Sequence, residues 1–210
     1  MVSEIFYSIQ GESSWAGNPC VFIRLARCNL RCNYCDTTYA FTGGDKWTHG
    51  EVIDRIKSFR CNLIEITGGE PLLQKGVYPL MKVLCDNGFK VLLETGGHMD
   101  ISMVDKRVSI IMDIKCPSSG ESDKVHWANL DKIKHNDELK FVIGNREDFD
   151  WAKKQLEIHK IMNQYTILMA PVFGKLDAAQ LADWILSEHL PVRLQIQVHK
   201  HIWSTDRRGV

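Results

Sequence analysis

The chain has 210 residues, a length that predicts one domain over residues 1–210. Of these residues 44% are hydrophobic and 25% charged, a composition typical of a globular protein. The 26 Lys and Arg balance the 26 Asp and Glu, so no bulk charge favours nucleic acid or a membrane surface as partner. The sequence has no apolar run of about 18 residues and no secretion signal, and its odd, partly clustered set of seven cysteines does not suit a disulfide framework. These features predict a cytoplasmic protein.

Apolar segments that predict strands alternate with amphipathic segments that predict helices. The predicted strands are 4–9, 21–26, 63–67, 90–95, 108–115, 139–143, 165–169 and 192–198, and the predicted helices are 48–60, 71–84, 146–162 and 177–188. This alternation predicts parallel βαβ units. A complete eight-unit barrel typically needs about 250 residues, and the connections at 96–107 and 117–137 are weakly helical. The predicted fold is α/β, a partial (open) TIM-like barrel of about six βα units with parallel strands.

Three cysteines come directly after the second predicted strand. Cys28, Cys32 and Cys35 are separated by three and then two residues. Thiolates are the protein ligands of iron–sulfur clusters, and three of them leave one iron of a cubane cluster open for another molecule. Structural zinc sites also use closely spaced cysteines, but usually in two pairs, and His49 is the only neighbouring histidine. Packing of small apolar side chains is a third interpretation, which the interleaved polar residues disfavour.

Polar or glycine-bearing segments follow most of the predicted strands. In α/β folds ligands bind at the carboxyl ends of the strands, so we expect these segments to converge. Gly68 and Gly69 would let the backbone approach a ligand closely. Arg24 interrupts an apolar strand and either lies on the solvent face or points at an anionic ligand. The segments are 10–14, 28–37, 68–70, 96–97, 115–120 and His199.

The cysteine spacing and the segment Gly68-Gly69-Glu70-Pro71 resemble the radical S-adenosylmethionine (SAM) superfamily. With segments 9–12, 35–37 and 197–200, they resemble the 7-carboxy-7-deazaguanine synthase family over the length of the chain. The resemblance implies conversion of 6-carboxy-5,6,7,8-tetrahydropterin to 7-carboxy-7-deazaguanine with loss of ammonia, on the path to queuosine and related deazapurines. It also implies a 4Fe–4S cluster, SAM used catalytically, Mg²⁺, a reductant such as flavodoxin or ferredoxin, a shortened barrel and a homodimer.

The same resemblance implies roles for individual residues. Cys28, Cys32 and Cys35 would ligate the 4Fe–4S cluster, and Thr37 would bind magnesium. The implied SAM contacts are Tyr34, Cys35, Asp36, Gly69, Asp113, Ile114 and Lys115. The implied substrate contacts are Ile9, Gln10, Gly11, Glu12, Arg24, Thr67 and His199. Some relatives have Ser-Pro-Lys at the position of Asp113-Ile114-Lys115, so only the lysine of that segment is shared with them.

Several residues also have a structural interpretation. The Thr37 hydroxyl would alternatively cap the next turn, and His199, placed on the last predicted strand, would alternatively be a hydrogen-bonded structural histidine. In the family the C-terminal carboxylate can reach the substrate, but the tail after His199 is longer here than in some members, which leaves the position of Val210 open. Cys20, Cys61 and Cys85 are expected to pack as small apolar residues, and Cys116 has no predicted role.

Two other functions are compatible with a three-cysteine loop. A glycyl-radical-enzyme activase shares the cysteine spacing and a small barrel, but it acts on a protein partner and consumes SAM. A non-catalytic electron carrier or cluster sensor would normally use four protein ligands for its cluster. The segment 10–12 and His199 favour a small polar heterocycle as the substrate instead.

Overall fold

A single sheet of eight strands, ordered as they occur in the chain, forms the fold. The computed structural model describes residues 1–204 and 207–210. Strands β2 to β8 pair in parallel, and β1 pairs antiparallel with β2. Within the described residues β1 and β8 do not pair, so the sheet stays open, which confirms the predicted partial barrel. The strands are β1 (Val2–Ile9), β2 (Pro19–Leu25), β3 (Leu63–Gly68), β4 (Lys90–Thr95), β5 (Ser109–Ile114), β6 (Glu138–Ile143), β7 (Thr166–Pro171) and β8 (Arg193–Leu194).

Helices connect most of the parallel strands. They are α1 (His49–Lys57), α2 (Val77–Asp86), α3 (Arg146–Ile158), α4 (Ala178–Ser187) and, after β8, α5 (His199–Ile202). As predicted, the β4–β5 and β5–β6 connections contain no α-helix, and the second consists of short 3-10 turns. A capping box between Thr48 and Glu51 starts α1 where the sequence predicts it. No helix in the described residues has the length and hydrophobicity to span a membrane.

The two faces of each central strand have opposite chemistry. On β3, Ile64 and Ile66 belong to the core that packs against the helices, whereas Glu65 and Thr67 line a cavity on the other face. The same alternation holds on β4, where Leu93 joins the core and its neighbour Glu94 lines the cavity. Because side chains alternate along a strand, each strand supplies both the core and the inner wall of the partial barrel.

The helix predicted to begin at Pro71 is divided in the structure. Pro71–Leu73 forms a 3-10 turn, and α2 starts only at Val77. Gln74 between them is extended, with φ −96° and ψ 108°. Its side-chain amide donates to the carbonyls of Met1 (2.9 Å) and Ala26 (2.8 Å). These tertiary hydrogen bonds account for the break that local helical periodicity did not reveal.

The last predicted strand, 192–198, is much shorter in the structure. Pairing is confined to Arg193–Leu194, and one further bond runs from the amide of Gln195 to the carbonyl of Met169 (2.8 Å). The amide of Val198 then donates to the carbonyl of Gly11 (2.9 Å), which joins the chain to the loop after β1. His199 therefore begins α5, and its predicted position on a strand is wrong.

The antiparallel direction of β1 changes where its following loop lies. Ile9, the last residue of β1, pairs with Pro19, the first residue of β2. Residues 10–14 therefore leave the sheet at the amino edge of the parallel strands, opposite the edge that the sequence predicted. From there the loop runs beneath the inner face of the sheet, and the amide of Ser14 donates to the Glu138 carboxylate on β6 (3.0 Å).

Candidate functional site

A cavity of about 960 Å³ lies on the inner face of the sheet. The structure brings nearly all of the predicted site residues to its wall, although they are scattered over the sequence. Those residues are Ile9, Gln10, Gly11, Glu12, Arg24, Cys28, Cys32, Tyr34, Cys35, Asp36, Thr37, Thr67, Gly69, Asp113, Lys115 and His199. The exception is Ile114, which is fully buried in the core on the opposite face of β5, so its side chain does not reach the cavity.

The cysteine loop, residues 28–37, forms one end of the cavity. Cys28, Cys32 and Cys35 are free, partly exposed thiols that all line it. The amide of Leu30 donates to Cys28 Sγ at 3.4 Å, and burial raises the pKa of the Cys28 and Cys32 thiols. In the described part of the chain no three Cys, His, Asp or Glu side chains are gathered around a point that would hold a single metal ion. Three free thiols facing one cavity fit a cluster larger than a single ion, with a corner left for another ligand.

The glycine turn after β3 packs directly against the strand that leads into the cysteine loop. The amide of Gly69 donates to the carbonyl of Leu25 (2.9 Å), and the amide of Glu70 to the carbonyl of Arg27 (2.8 Å). A Cβ at Gly69 would lie 2.1 Å from the Arg27 carbonyl oxygen, and one at Gly68, where φ is +128°, would lie 2.2 Å from the Leu25 oxygen. Backbone packing therefore requires glycine at both positions, whether or not a ligand approaches the turn.

Glu70 of the same turn has a structural role. Its side chain is 1% exposed and accepts hydrogen bonds from Thr95 Oγ1 (2.8 Å), the amide of Gly96 (2.8 Å) and the amide of Leu72 (3.0 Å). The carboxylate thereby joins the ends of β3 and β4 and caps the following 3-10 turn.

An ion pair at the end of β5 faces the cysteine loop. Lys115 Nζ lies 2.8 Å from Asp113 Oδ2. Burial by itself lowers the pKa of Lys115, but Asp113 and Cys32 together raise it above its usual value. The other oxygen of Asp113 is buried and accepts no hydrogen bond within the described residues. The Tyr34 hydroxyl donates to the carbonyl of Val142 at 3.3 Å, which ties the cysteine loop to β6.

The loop after β1 forms the floor of the cavity. Gln10 donates to Glu65 through Nε2, and its Oε1 accepts from the amide of Glu12 (2.8 Å). The Glu12 carboxylate in turn pairs with Lys140 (2.9 Å) and accepts a hydrogen bond from Gln197 (2.8 Å). The polar turn predicted from the sequence is thus an ordered floor connected to β3, β6 and the C-terminal segment.

A buried charge cluster above this floor was not predicted. Glu65, Glu94 and Lys140 project from β3, β4 and β6, and Lys140 pairs with both Glu94 and Glu12. Burial lowers the pKa of Lys140, but Glu12 and Glu94 outweigh this and raise it. Burial and then the Glu94 and Glu12 carboxylates raise the pKa of Glu65 well above its usual value. The available sequence signal was an isolated charged residue within each apolar strand, the feature noted only for Arg24.

Arg24 is directed towards the cavity, so the solvent-face alternative is wrong. Its Nε donates to Glu4 Oε1 at 2.7 Å, and its side chain is 17% exposed. The Tyr39 hydroxyl donates to the same Glu4 oxygen (2.9 Å). Within the described residues the two Nη atoms of Arg24 have no hydrogen-bond partner, so the outer fork of the guanidinium can receive an anionic group. Thr67 on the adjacent strand donates to Glu94 (3.0 Å).

Thr37 does not cap the turn that follows it. The 3-10 turn after Thr37 has no side-chain cap, and the Thr37 hydroxyl instead donates to Asp36 Oδ1 (3.0 Å). The second oxygen of Asp36 pairs with Lys200 Nζ at 2.8 Å. Partial desolvation by the cavity wall raises the pKa of Asp36 although 54% of its side chain is exposed, but Lys200 and Thr37 outweigh this and lower it to about 2. A hydroxyl and a carboxylate are thus adjacent here, both oxygen donors of the kind that magnesium prefers.

His199 and the C-terminal segment complete the wall of the cavity. The His199 ring lies directly against Gly11, where an added Cβ would be 2.0 Å from Nδ1. Burial lowers the pKa of His199. Arg208 lies over the Tyr39 ring, 4.1 Å from its centroid, and Val210 also lines the cavity.

The remaining cysteines are structural. Cys20 is fully buried beside Phe6 and Phe22, and Cys61 and Cys85 pack against the main core as predicted. Cys116, for which the sequence predicted no role, is part of that core.

Comparison with known proteins gives concordant results. The profile of the Radical SAM superfamily matches residues 22–182. The 7-carboxy-7-deazaguanine synthase of Chlorobaculum tepidum is 48% identical over 212 aligned positions, covering 100% of this chain and 96% of that protein. The synthase of the same name from Koribacter versatilis is 41% identical, covering 100% of this chain and 99% of that protein. The crystal structure of QueE from Escherichia coli superposes with a TM-score of 0.77 at 23% identity, covering 94% of this chain and 93% of the other, and so has the same fold.

Proposed function

The chain belongs to the radical SAM superfamily and, within it, to the 7-carboxy-7-deazaguanine synthase family, and from this premise we propose how the residues of its cavity carry out that family's reaction. The enzyme converts 6-carboxy-5,6,7,8-tetrahydropterin to 7-carboxy-7-deazaguanine with loss of ammonia, a step of queuosine and related deazapurine biosynthesis. The activase and electron-carrier alternatives are not favoured by these relationships. The observation that carries the assignment to this cavity is that three free thiols and a buried charge cluster face the same 960 Å³ space.

The cysteine end of the cavity is the proposed cofactor site. Cys28, Cys32 and Cys35 would hold a 4Fe–4S cluster, whose open iron would bind SAM. When bound, the cluster and SAM supply a radical that abstracts hydrogen from the substrate. The unpartnered oxygen of Asp113 would accept a hydrogen bond from SAM, while Lys115 holds that carboxylate in place.

Tyr34, Asp36 and Gly69 are proposed to complete the SAM site. They line the same end of the cavity as the thiols. A role for Ile114 can involve only its backbone, because its side chain lies in the core. The protein's contribution is to orient the cofactor and to exclude water.

The charged end of the cavity is the proposed pterin site. A carboxylate such as Glu12 can accept two hydrogen bonds from the guanidine-like edge of a pterin, and Lys140 favours the ionised form of that partly buried carboxylate. The free fork of Arg24 would hold the substrate carboxylate. Gln10 would act indirectly, because its amide is already engaged with Glu12 and Glu65.

His199 and Thr67 are proposed to contact the substrate from the sides. Both line the cavity, together with Ile9 and Gly11 of the floor. Burial keeps His199 neutral, so that one ring nitrogen can donate and the other can accept. The carboxylate of Val210 is a further candidate contact from the C-terminal segment.

Thr37, with Asp36 beside it, is the proposed Mg²⁺ site. Substitution Thr37→Ala should weaken activation by Mg²⁺ while leaving iron content and the cluster spectrum unchanged. The matched control is Thr38→Ala, which removes the neighbouring hydroxyl from the same cavity wall. An unaltered response of Thr37→Ala to Mg²⁺ would exclude Thr37 as a ligand.

The remaining proposals concern the molecule as a whole. We propose that residues 1–210 form a single radical SAM domain, since strands of one sheet run from residue 2 to residue 194 and the C-terminal segment lines the cavity. A homodimer, a cytoplasmic location and reduction by flavodoxin or ferredoxin are proposed from the family relationship.

Turnover by anaerobically reconstituted protein tests the function. The chain should convert carboxytetrahydropterin to carboxydeazaguanine without net loss of SAM. Cys28→Ala should abolish this turnover, whereas Cys85→Ala, a matched change outside the cavity, should retain it. Formation of one 5′-deoxyadenosine per turnover would favour an activase instead, and absence of any effect of SAM on the cluster spectrum would contradict the enzyme assignment.

A further inference from the structure

His98 lies behind the cysteine loop, outside the cavity and apart from the proposed ligands. It follows the Gly96-Gly97 turn at the end of β4, and its side chain is only 7% exposed. Its Nε2 lies 2.6 Å from Oδ1 of Asn29, the residue that directly follows Cys28. A carbonyl oxygen only accepts hydrogen bonds, so the imidazole is the donor in this contact.

The other side of the imidazole faces a carboxylate that cannot easily move. Nδ1 has no hydrogen-bond partner within the described residues and lies 3.7 Å from Glu70 Oε2. Three hydrogen bonds, from Thr95 Oγ1 and the amides of Gly96 and Leu72, fix that carboxylate. The ring is thus held between the rigid glycine turn and the first residue after Cys28.

Other contacts hold the far part of the cysteine loop. The amide and side chain of Asn33 donate to the carbonyls of Ser119 and Ser118, both at 3.0 Å, and the amide of Arg31 donates to the Glu121 carboxylate. At the Cys28 side, the Arg31 guanidinium donates to the carbonyl of Cys28 (2.8 Å) and the amide of Glu70 to the carbonyl of Arg27 (2.8 Å), whereas the Asn29 side chain is held by His98. Loss of the imidazole would therefore release the Asn29 side chain, and with it one of the contacts that hold the Cys28 side of the loop, while the far side of the loop stays attached.

We propose that His98 is a positioning residue that, through the Asn29 side chain, helps to hold the Cys28 side of the cysteine loop in the geometry needed to retain the cluster. Because Nε2 is used by Asn29, His98 acts through that residue and is not itself a ligand. Groups that hydrogen-bond to metal ligands contribute about 10- to 100-fold to metal affinity, and His98, one residue further from the cluster, should contribute at the lower end of that range. This inference rests on the cluster assignment in the proposed function.

The test compares His98→Ala, His98→Gln and the surface control His135→Ala after anaerobic reconstitution. The readouts are iron and sulfide per chain, the rate of iron loss to a chelator, and the electron paramagnetic resonance spectrum of the reduced cluster. His98→Ala should release iron about tenfold faster and broaden the spectrum. His98→Gln, whose amide N–H can still donate to Asn29, should be within about twofold of the parent protein, and His135→Ala should be unchanged.

Asn29→Ala provides a second variant that leaves the interior intact, since Asn29 is exposed. It should reproduce the faster iron release, and combining it with His98→Ala should add little because the two residues act through one hydrogen bond. Iron retention equal to the parent in both single variants, with the parent loading fully, would overturn the role of His98 alone. Failure of the parent chain to take up iron and sulfide would instead overturn the cluster assignment.

Discussion

The contact between Gly11 and His199 gives the sharpest prediction about the floor of the cavity. A Cβ at Gly11 would lie 2.0 Å from His199 Nδ1 and 2.8 Å from Cγ. To regain an ordinary contact of 3.4 Å, the ring must move by roughly 1.4 Å. A misplacement of about 1 Å at a reacting site can cost about 100-fold in rate, so we expect Gly11→Ala to lower kcat/KM for the pterin by that order.

The assay is steady-state turnover with reconstituted protein, and Gly50→Ala is the control. The Gly50 site is helical and open, with its nearest neighbour 3.9 Å from an added Cβ, so activity should be unchanged. In a His199→Ala background the new methyl group occupies the space left by the ring, and Gly11→Ala should then cause little further loss, although the His199 backbone nitrogen stays at 3.0 Å. Full activity of Gly11→Ala, or losses that multiply independently in the double variant, would refute the reasoning.

Three further predictions concern stability. Gly69→Ala should prevent accumulation of folded protein, because its Cβ would lie 2.1 Å from the Arg27 carbonyl oxygen. Neither atom can move away without a shift of the backbone. A normal melting transition would contradict this prediction. Lys140→Met should lower the free energy of unfolding by about 1–3 kcal/mol in denaturant titrations, since it leaves the partly buried Glu12 and Glu94 carboxylates without their shared partner. A loss well below about 1 kcal/mol would indicate a solvated pair. Because the pKa of Glu65 is raised in the folded state, the folded chain holds a proton that the unfolded chain releases. The contribution of Glu65 to stability should therefore be full below the pKa of an unfolded-state glutamate and be lost as pH rises through the pKa of Glu65 in the folded state. In the Glu65→Gln variant, the free energy of unfolding should depend less on pH over this range. An unchanged pH dependence would show that another group causes it.

The alternation of strands and helices was readable from the sequence because it depends on local periodicity. Apolar residues that recur at the period of a strand or helix bury the same face wherever the segment packs. The cysteine spacing was equally local, since thiols separated by only three and two residues are necessarily on one loop. The strand bounds of β4, the capping box of α1 and the open barrel all followed from such patterns.

The errors arose where a distant partner decides the structure. Gln74 breaks a helical pattern because its amide bonds the carbonyls of Met1 and Ala26, and residues after Leu194 leave the sheet because Val198 bonds the loop after β1. The direction of β1 depends on its pairing with β2, which no property of residues 2–9 reveals.

For the charge cluster, too, the sequence determined one part and the tertiary structure the other. The sequence by itself determined that charged residues interrupt several apolar strands, but a lone Glu65 or Lys140 would be as compatible with a solvent-facing position. Only the tertiary structure turned these side chains towards one enclosed space and gave Lys140 two carboxylate partners. The physical reason is that burying a charge costs several kcal/mol unless a partner is present, and that partner comes from another strand, far away in the chain.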